Sequence, residues 1–148
     1  MLKNSNNQFG LISKLIHWIS AVMLLTLFGV GFWMVDLSYY SEWYRVAPYY
    51  HKAFGLVLLA LTLFRIFWKF ASPQPDIIAK NSAEKTVAKL GHTVLYIAML
   101  VIMFSGYLIS TADGRGIELF SILTVPSIGE LIENQEDVAG LIHEYAAY

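Results

Sequence analysis

The chain has no cysteine, only four prolines in 148 residues, and few charges: Asp, Glu, Lys and Arg together make up 14%. Without cysteine there is no disulfide, no thiolate-held iron–sulfur cluster and no thiol nucleophile. A formal net charge of −1 gives no basic surface for nucleic acid. The scarcity of charge excludes an ordinary soluble domain, in which roughly 25% of residues are charged. Internal repeats are also missing, which argues against a transporter built from inverted halves. What fills the chain instead is apolar: 57% hydrophobic residues and a mean hydropathy of +0.54. This is the composition of a membrane protein.

Three apolar runs carry that excess: Leu15 to Val35, His51 to Trp68 and Leu90 to Ala112. The first and third hold no charged residue, and the second holds Lys52 at its start and Arg65 inside. Each is long enough to cross a hydrocarbon core about 30 Å thick at about 1.5 Å per residue. Backbone amides in lipid must be satisfied within their own segment, so the runs are expected to be helices. The first is too long for a signal-peptide core and is followed by no convincing small-residue cleavage site, so it is expected to be retained. A fourth stretch, "VAGLIHEYAAY", opens a further crossing that is too short to span. The expected fold is therefore all-α: a transmembrane four-helix bundle in a single domain over residues 1–148. Helices are expected at about 15–36, 51–70 and 90–112, with an incomplete one at 138–148. The segment "GIELFSILTVP" is expected to hold a short interfacial helix around Ile117 to Leu123.

With the N-terminus inside, Lys3, Lys14, Arg65, Lys69, Lys80, Lys85 and Lys89 lie inside, against Arg45, Lys52 and Arg115 outside. This is the bias expected of an inner-membrane protein with a cytoplasmic N-terminus. Trp and Tyr crowd "SEWYRVAPYYHK", as at a membrane interface. Pro73 and Pro75 stop the second helix before a basic loop.

The four histidines, His17, His51, His92 and His143, all lie at ends of apolar segments. One interfacial histidine is explained by headgroup contact or helix capping; four of four suggest a shared role. By depth, His51 and His143 share the outer face, and His17 and His92 the inner. Zinc prefers four ligands, often with thiolate or carboxylate. Two imidazoles per layer suit the axial positions of haem iron, whose other ligands come from the porphyrin. Ala21 and Gly55 follow His17 and His51 by one turn and offer small surfaces beside them, as any transmembrane packing face would. Arg65 follows His51 by 14 residues on nearly the same helix face. It either pairs with a propionate or quinone headgroup or snorkels with Lys69 to the headgroups. His92 is open between inner-haem ligand, proton donor to a quinone and interfacial residue.

"KLIHW", "YYHKAFGLVLLALTLFRIFWKFASPQP", "LGHTVLYIAMLVIMFSGYL" and "LIHEYAAY" together resemble the bacterial cytochrome b561 family, related to the cytochrome b subunits of nickel–iron hydrogenase and formate dehydrogenase. The resemblance covers nearly the whole chain. It implies two b-type haems, one near each face. His51 and His143 would be the axial ligands of the outer haem. His17 would ligate the inner one with a further histidine about four turns beyond His143, past the end of this chain, so that the chain resembles a C-terminally shortened member. The family position matching His92 lies close to the inner haem or a quinone. The implied function is electron exchange between the quinone pool and an outer-face donor or acceptor, superoxide oxidation coupled to ubiquinone reduction being one form. The chain is then a respiratory electron carrier or a quinone-linked oxidoreductase. The rival from another class is a non-redox membrane protein, such as a transporter component or scaffold, which would bind no haem.

Overall fold

A computed structural model describes residues 1–76 and 78–148. It contains α1 (Leu11–Met34), α2 (Trp43–Ala71), α3 (Ser82–Thr111), a hairpin of β1 (Ile117–Leu119) and β2 (Leu123–Val125), and α4 (Gln135–Ala147). The all-α expectation holds, with α1, α2 and α3 each long and apolar enough to cross a membrane. α4 has 13 residues, or about 20 Å of helix. Consecutive helices pack on one another in chain order. Leu27, Leu58 and Met103 form the shared core, with Met23, Leu24, Leu59, Met99 and Leu100 around it. Most other large apolar side chains, including Trp18, Leu25 and Leu95, face outward, as lipid solvation allows.

The α1–α2 seam has a regular register. Ser13 on α1 meets Trp68 on α2, His17 meets Arg65, and Gly31 meets His51. Between these pairs the same register sets Ser20, Leu24 and Leu27 of α1 against Thr62 and Leu58 of α2. The alternating four- and three-residue steps are those of a helix pair whose side chains interlock in a narrow stripe.

α1 and α4 begin about one turn earlier than expected, at Leu11 and Gln135, and α2 and α3 about two turns earlier. α2 starts at Trp43, so the aromatic segment before His51 is helical, and Pro48 lies inside it. α3 starts at Ser82 and takes in the charged turns before Leu90. Hydropathy marks where lipid begins, whereas a helix can project beyond the hydrocarbon. The start of α3 is set by a cap: Asn81 Oδ1 accepts from Glu84 N at 2.8 Å, and Glu84 Oε2 accepts from Lys80 N at 2.8 Å. The loop between α2 and α3 begins at Ser72, before Pro73 and Pro75, as expected; Ile77 in that loop lies outside the described residues.

The expected interfacial helix at Ile117 to Leu123 is instead an antiparallel hairpin, pairing Ile117 with Val125, Glu118 with Thr124 and Leu119 with Leu123. The reason is period two: Ile117 is buried, Glu118 exposed and Leu119 half-buried. Phe120 and Ser121 turn the chain at φ 52° and 59°, the left-handed region that a tight hairpin turn needs. Phe120 then packs edge-on against Phe54 of α2, with ring centres 4.9 Å apart.

At the other end, residues 1–10 fold back over the start of α1. Leu11 N donates to Met1 O and Ile12 N to Leu2 O, satisfying amides that a helix start leaves free. Buried Asn4 ties this segment down: its Oδ1 accepts from Gly10 N at 2.9 Å and from Ser13 Oγ at 2.7 Å. Ser13 Oγ in turn accepts from Trp68 Nε1 at 3.0 Å. Replacing Asn4 with Ala strands these donors, and a stranded buried donor costs about 1–3 kcal/mol. Asn4→Ala should lower the melting temperature in detergent and open the first ten residues to limited proteolysis. Unchanged melting and cleavage would show that the Asn4 anchor is dispensable.

Candidate functional site

Four histidines and one arginine were expected at the ends of the bundle, and the structure gathers them into two groups. At the hairpin end, His51 of α2 and His143 of α4 face each other. Their ring centres are 6.3 Å apart and their planes cross at 78°. Each ring lies against a glycine of another helix. A Cβ built on Gly31 of α1 would come within 3.1 Å of His51 Cε1, and one on Gly106 of α3 within 3.0 Å of His143 Cε1. All four helices therefore contribute to this one layer.

The two rings are held differently. His143 Nδ1 is 2.8 Å from Ile102 O and 3.2 Å from Ser105 Oγ. A carbonyl only accepts, so Nδ1 carries the proton and Nε2 keeps its lone pair. Ser105 donates its own proton to Ile102 O at 2.9 Å. His51 makes no hydrogen bond among the described residues, and its Nδ1 is buried. Next to His51, Tyr50 and Phe54 join Trp18, Ile19, Val22, Met23, Thr26, Leu27 and Val30 of α1 around an open apolar cavity of about 580 Å³.

α4 is set at its height by Gln135, which is almost fully buried. Gln135 Nε2 donates to Leu108 O at 3.0 Å, and Oε1 accepts from Leu131 N at 2.7 Å. His143 follows Gln135 by about two helical turns, so this clamp fixes which level of α3 the imidazole meets. Tyr107 Oη reinforces the loop by donating to Pro126 O at 2.7 Å.

At the end carrying the N-terminus, Arg65 Nη2 lies 3.1 Å from Nδ1 of His17. Guanidinium has only donors, so His17 Nδ1 accepts, and the neutral ring carries its proton on Nε2. Arg65 and Lys69 also lie over the ring of Tyr96, at 5.4 Å and 5.7 Å from its centre. Arg65 thus makes contacts to both α1 and α3. His92 Nδ1 bonds Ala88 O of its own helix at 2.7 Å. No ring contact joins His92 to His17 among the described residues.

Of the small residues named from the sequence, Gly55 does not touch its histidine. A Cβ on Gly55 would meet nothing within 4 Å, because a residue one turn along the same helix lies beside the imidazole's root, not its face. The close surfaces come from neighbouring helices, at Gly31 and Gly106. Those two, with Ser105 and Gln135, were missed. The available signal was the seven-residue stepping that joins His17, Leu24 and Gly31 on α1, which runs opposite the histidine stripe of α2.

Comparison with known proteins identifies the family. The profile of the family described as prokaryotic cytochrome b561 matches residues 8–148. The chain is also 39% identical over 146 residues to cytochrome b561 homolog 2 of Escherichia coli (strain K12), an alignment covering 98% of this chain and 78% of that protein. A profile that runs through all four helices, and a relative of this similarity along nearly the full length, establish that the chain belongs to the prokaryotic cytochrome b561 family.

Proposed function

We propose that this protein is a b-type haem electron carrier of the bacterial inner membrane, with its N-terminus cytoplasmic, and that His51 and His143 are axial ligands of the haem at the hairpin end. The observation that carries the reading is the ring separation. Rings from two helices held apart in this way would leave room for one iron atom that both imidazoles could hold. The separation of His51 and His143 is 6.3 Å. The donor chemistry also fits. His143 keeps Nε2 free because Nδ1 donates to Ile102 O, a polarity typical of metal-bound histidine. The missing Cβ atoms at Gly31 and Gly106 leave both rings room, and the adjoining cavity is apolar.

Bound haem supplies the one-electron redox change. The chain's own residues orient the imidazoles, exclude water from them and place charge at each end. A second haem at the N-terminal end, with His17 as one ligand, rests on the family resemblance. Ligation through His17 Nε2 needs the opposite tautomer from the one Arg65 supports, so it requires Arg65 to leave Nδ1. The freed guanidinium then suits an anionic propionate or the carbonyl of a quinone. His92 lies on the same end and is proposed as a proton donor to that quinone. Electrons would pass between the quinone and a donor or acceptor at the hairpin end, superoxide being one candidate donor.

Four measurements test this reading. The purified protein with its haem supply intact should give reduced-minus-oxidised b-type bands. His51→Ala and His143→Ala should each remove the same haem, while His17→Ala spares it; loss of different haems would refute the pairing. Gly106→Ala should weaken haem retention by about 10-fold or more, as when a ligand's outer support is lost, while Gly55→Ala leaves it unchanged. Equal effects at the two glycines would remove the argument from ring contact. Finally, nine of the 11 acids lie toward the hairpin end with three of the 10 basic residues. Reduction by superoxide, an anion, should therefore quicken as salt rises, and reduction by a cationic protein should slow. A superoxide reaction that slows with salt would contradict the charge assignment.

A further inference from the structure

Two hydroxyls in the α1–α2 seam have no partner among the described residues. Ser20 is 1% exposed and Thr62 0%, and neither hydroxyl oxygen makes a hydrogen bond. Elsewhere in these helices the hydroxyl returns its proton to a carbonyl one turn back: Thr26 to Val22, Thr86 to Ser82, Thr93 to Lys89 and Thr111 to Tyr107. Ser20 and Thr62 depart from that habit, and they depart together. The seam register sets them opposite each other, three residues on from His17 and three back from Arg65, whose side chains are in contact. Toward the hairpin end, the next layer is Leu24 and Leu58, both in or against the core. Serine and threonine fill far less of the gap between two helices than two leucines do.

An unpaired hydroxyl inside a lipid-solvated bundle is costly, because no bulk water can satisfy it. Two of them at one level of the seam, both on short side chains, are the setting in which an ordered water is held. We propose that Ser20 and Thr62 hold a single water molecule between α1 and α2. Water is the ligand the chemistry selects. A metal ion would need more and stronger donors, and no group of three or more His, Cys, Asp or Glu suited to a metal occurs among the described residues. The water accepts from or donates to both hydroxyls, and the carbonyls one turn back, at Ile16 and Leu58, offer further lone pairs. It extends the polar cluster of His17 and Arg65 one turn toward the membrane centre. It also pins the register of α1 against α2 by a bond that neither hydroxyl makes alone. The proposal does not depend on which histidines bind haem.

The test is a double-mutant cycle on the full chain, with its native haem complement, in lipid nanodiscs. Ser20→Ala and Thr62→Val should each lower the melting temperature by several degrees, since each strands the other hydroxyl. The double variant should recover most of the loss, because both polar groups are then gone. Single variants that are neutral, or that add without coupling, would overturn the proposal. A structure of the unmodified protein at a resolution that shows waters should have a density peak within hydrogen-bond distance of both oxygens. Coupling without that peak, with the hydroxyls bonded directly to each other, also overturns it. If a single variant fails to accumulate, the density in the unmodified protein decides alone.

Discussion

Two imidazoles from different helices come within 6.3 Å because two backbones yield to them, at Gly31 and at Gly106. In lipid, helices gain little by hiding leucine from a solvent that is itself hydrocarbon, so close approach and polar contacts do the joining. Side chains at either glycine would push α1 from α2 or α3 from α4 at the level of the histidines. The rest of the layer follows from that closeness. Ser105 sits one residue before Gly106, which brings its hydroxyl to His143 Nδ1. His51 sits where α1 is bare, with its neighbours Tyr50 and Phe54 turned into the apolar cavity.

The register of α1 against α2 transmits this constraint along the membrane. With Gly31 fixed against His51, the stepping of the seam brings His17 to Arg65 and Ser13 to Trp68. α4 has no comparable seam with α1, and its height depends on α3. Gln135 supplies that dependence through bonds to Leu108 O and Leu131 N. The hairpin closes the same end by setting Phe120 on Phe54, one turn from His51.

Much of this could be read from residues alone, for a physical reason: the solvent is hydrocarbon. Long uncharged runs had to be helices, and histidines at their ends stood out against an apolar background. The depth of His51 and His143 followed from the alternation of direction. Other features depend on terms that hydropathy does not contain. The first turns of α2 and α3 are amphipathic or charged, so they carry no membrane signal although they are helical. The segment around Phe120 is apolar enough for a short helix, and only its burial alternation and left-handed turn reveal strands. Gly31 was marked only by its seven-residue step from His17 and Leu24, and Gly106 not at all, because a contact between helices needs the interhelical register, which no single run encodes.

The two ends of the bundle differ in the state of their imidazoles, and the difference has a consequence for how each can work. At the hairpin end, His143 already has the proton on Nδ1, held by a backbone carbonyl that cannot move away. In the proposed reading, a metal held at Nε2 would therefore break no existing hydrogen bond. At the N-terminal end, His17 gives its Nδ1 lone pair to a mobile side chain, Arg65, which also lies over Tyr96. Any anion arriving there competes for Arg65, and its arrival alters which nitrogen of His17 is free. Binding at that end is coupled to a proton shift and an arginine rearrangement. In the proposed carrier, the fixed imidazole at one face suits a resident haem, and the exchangeable contact of Arg65 at the other suits the arrival of a haem propionate or a quinone.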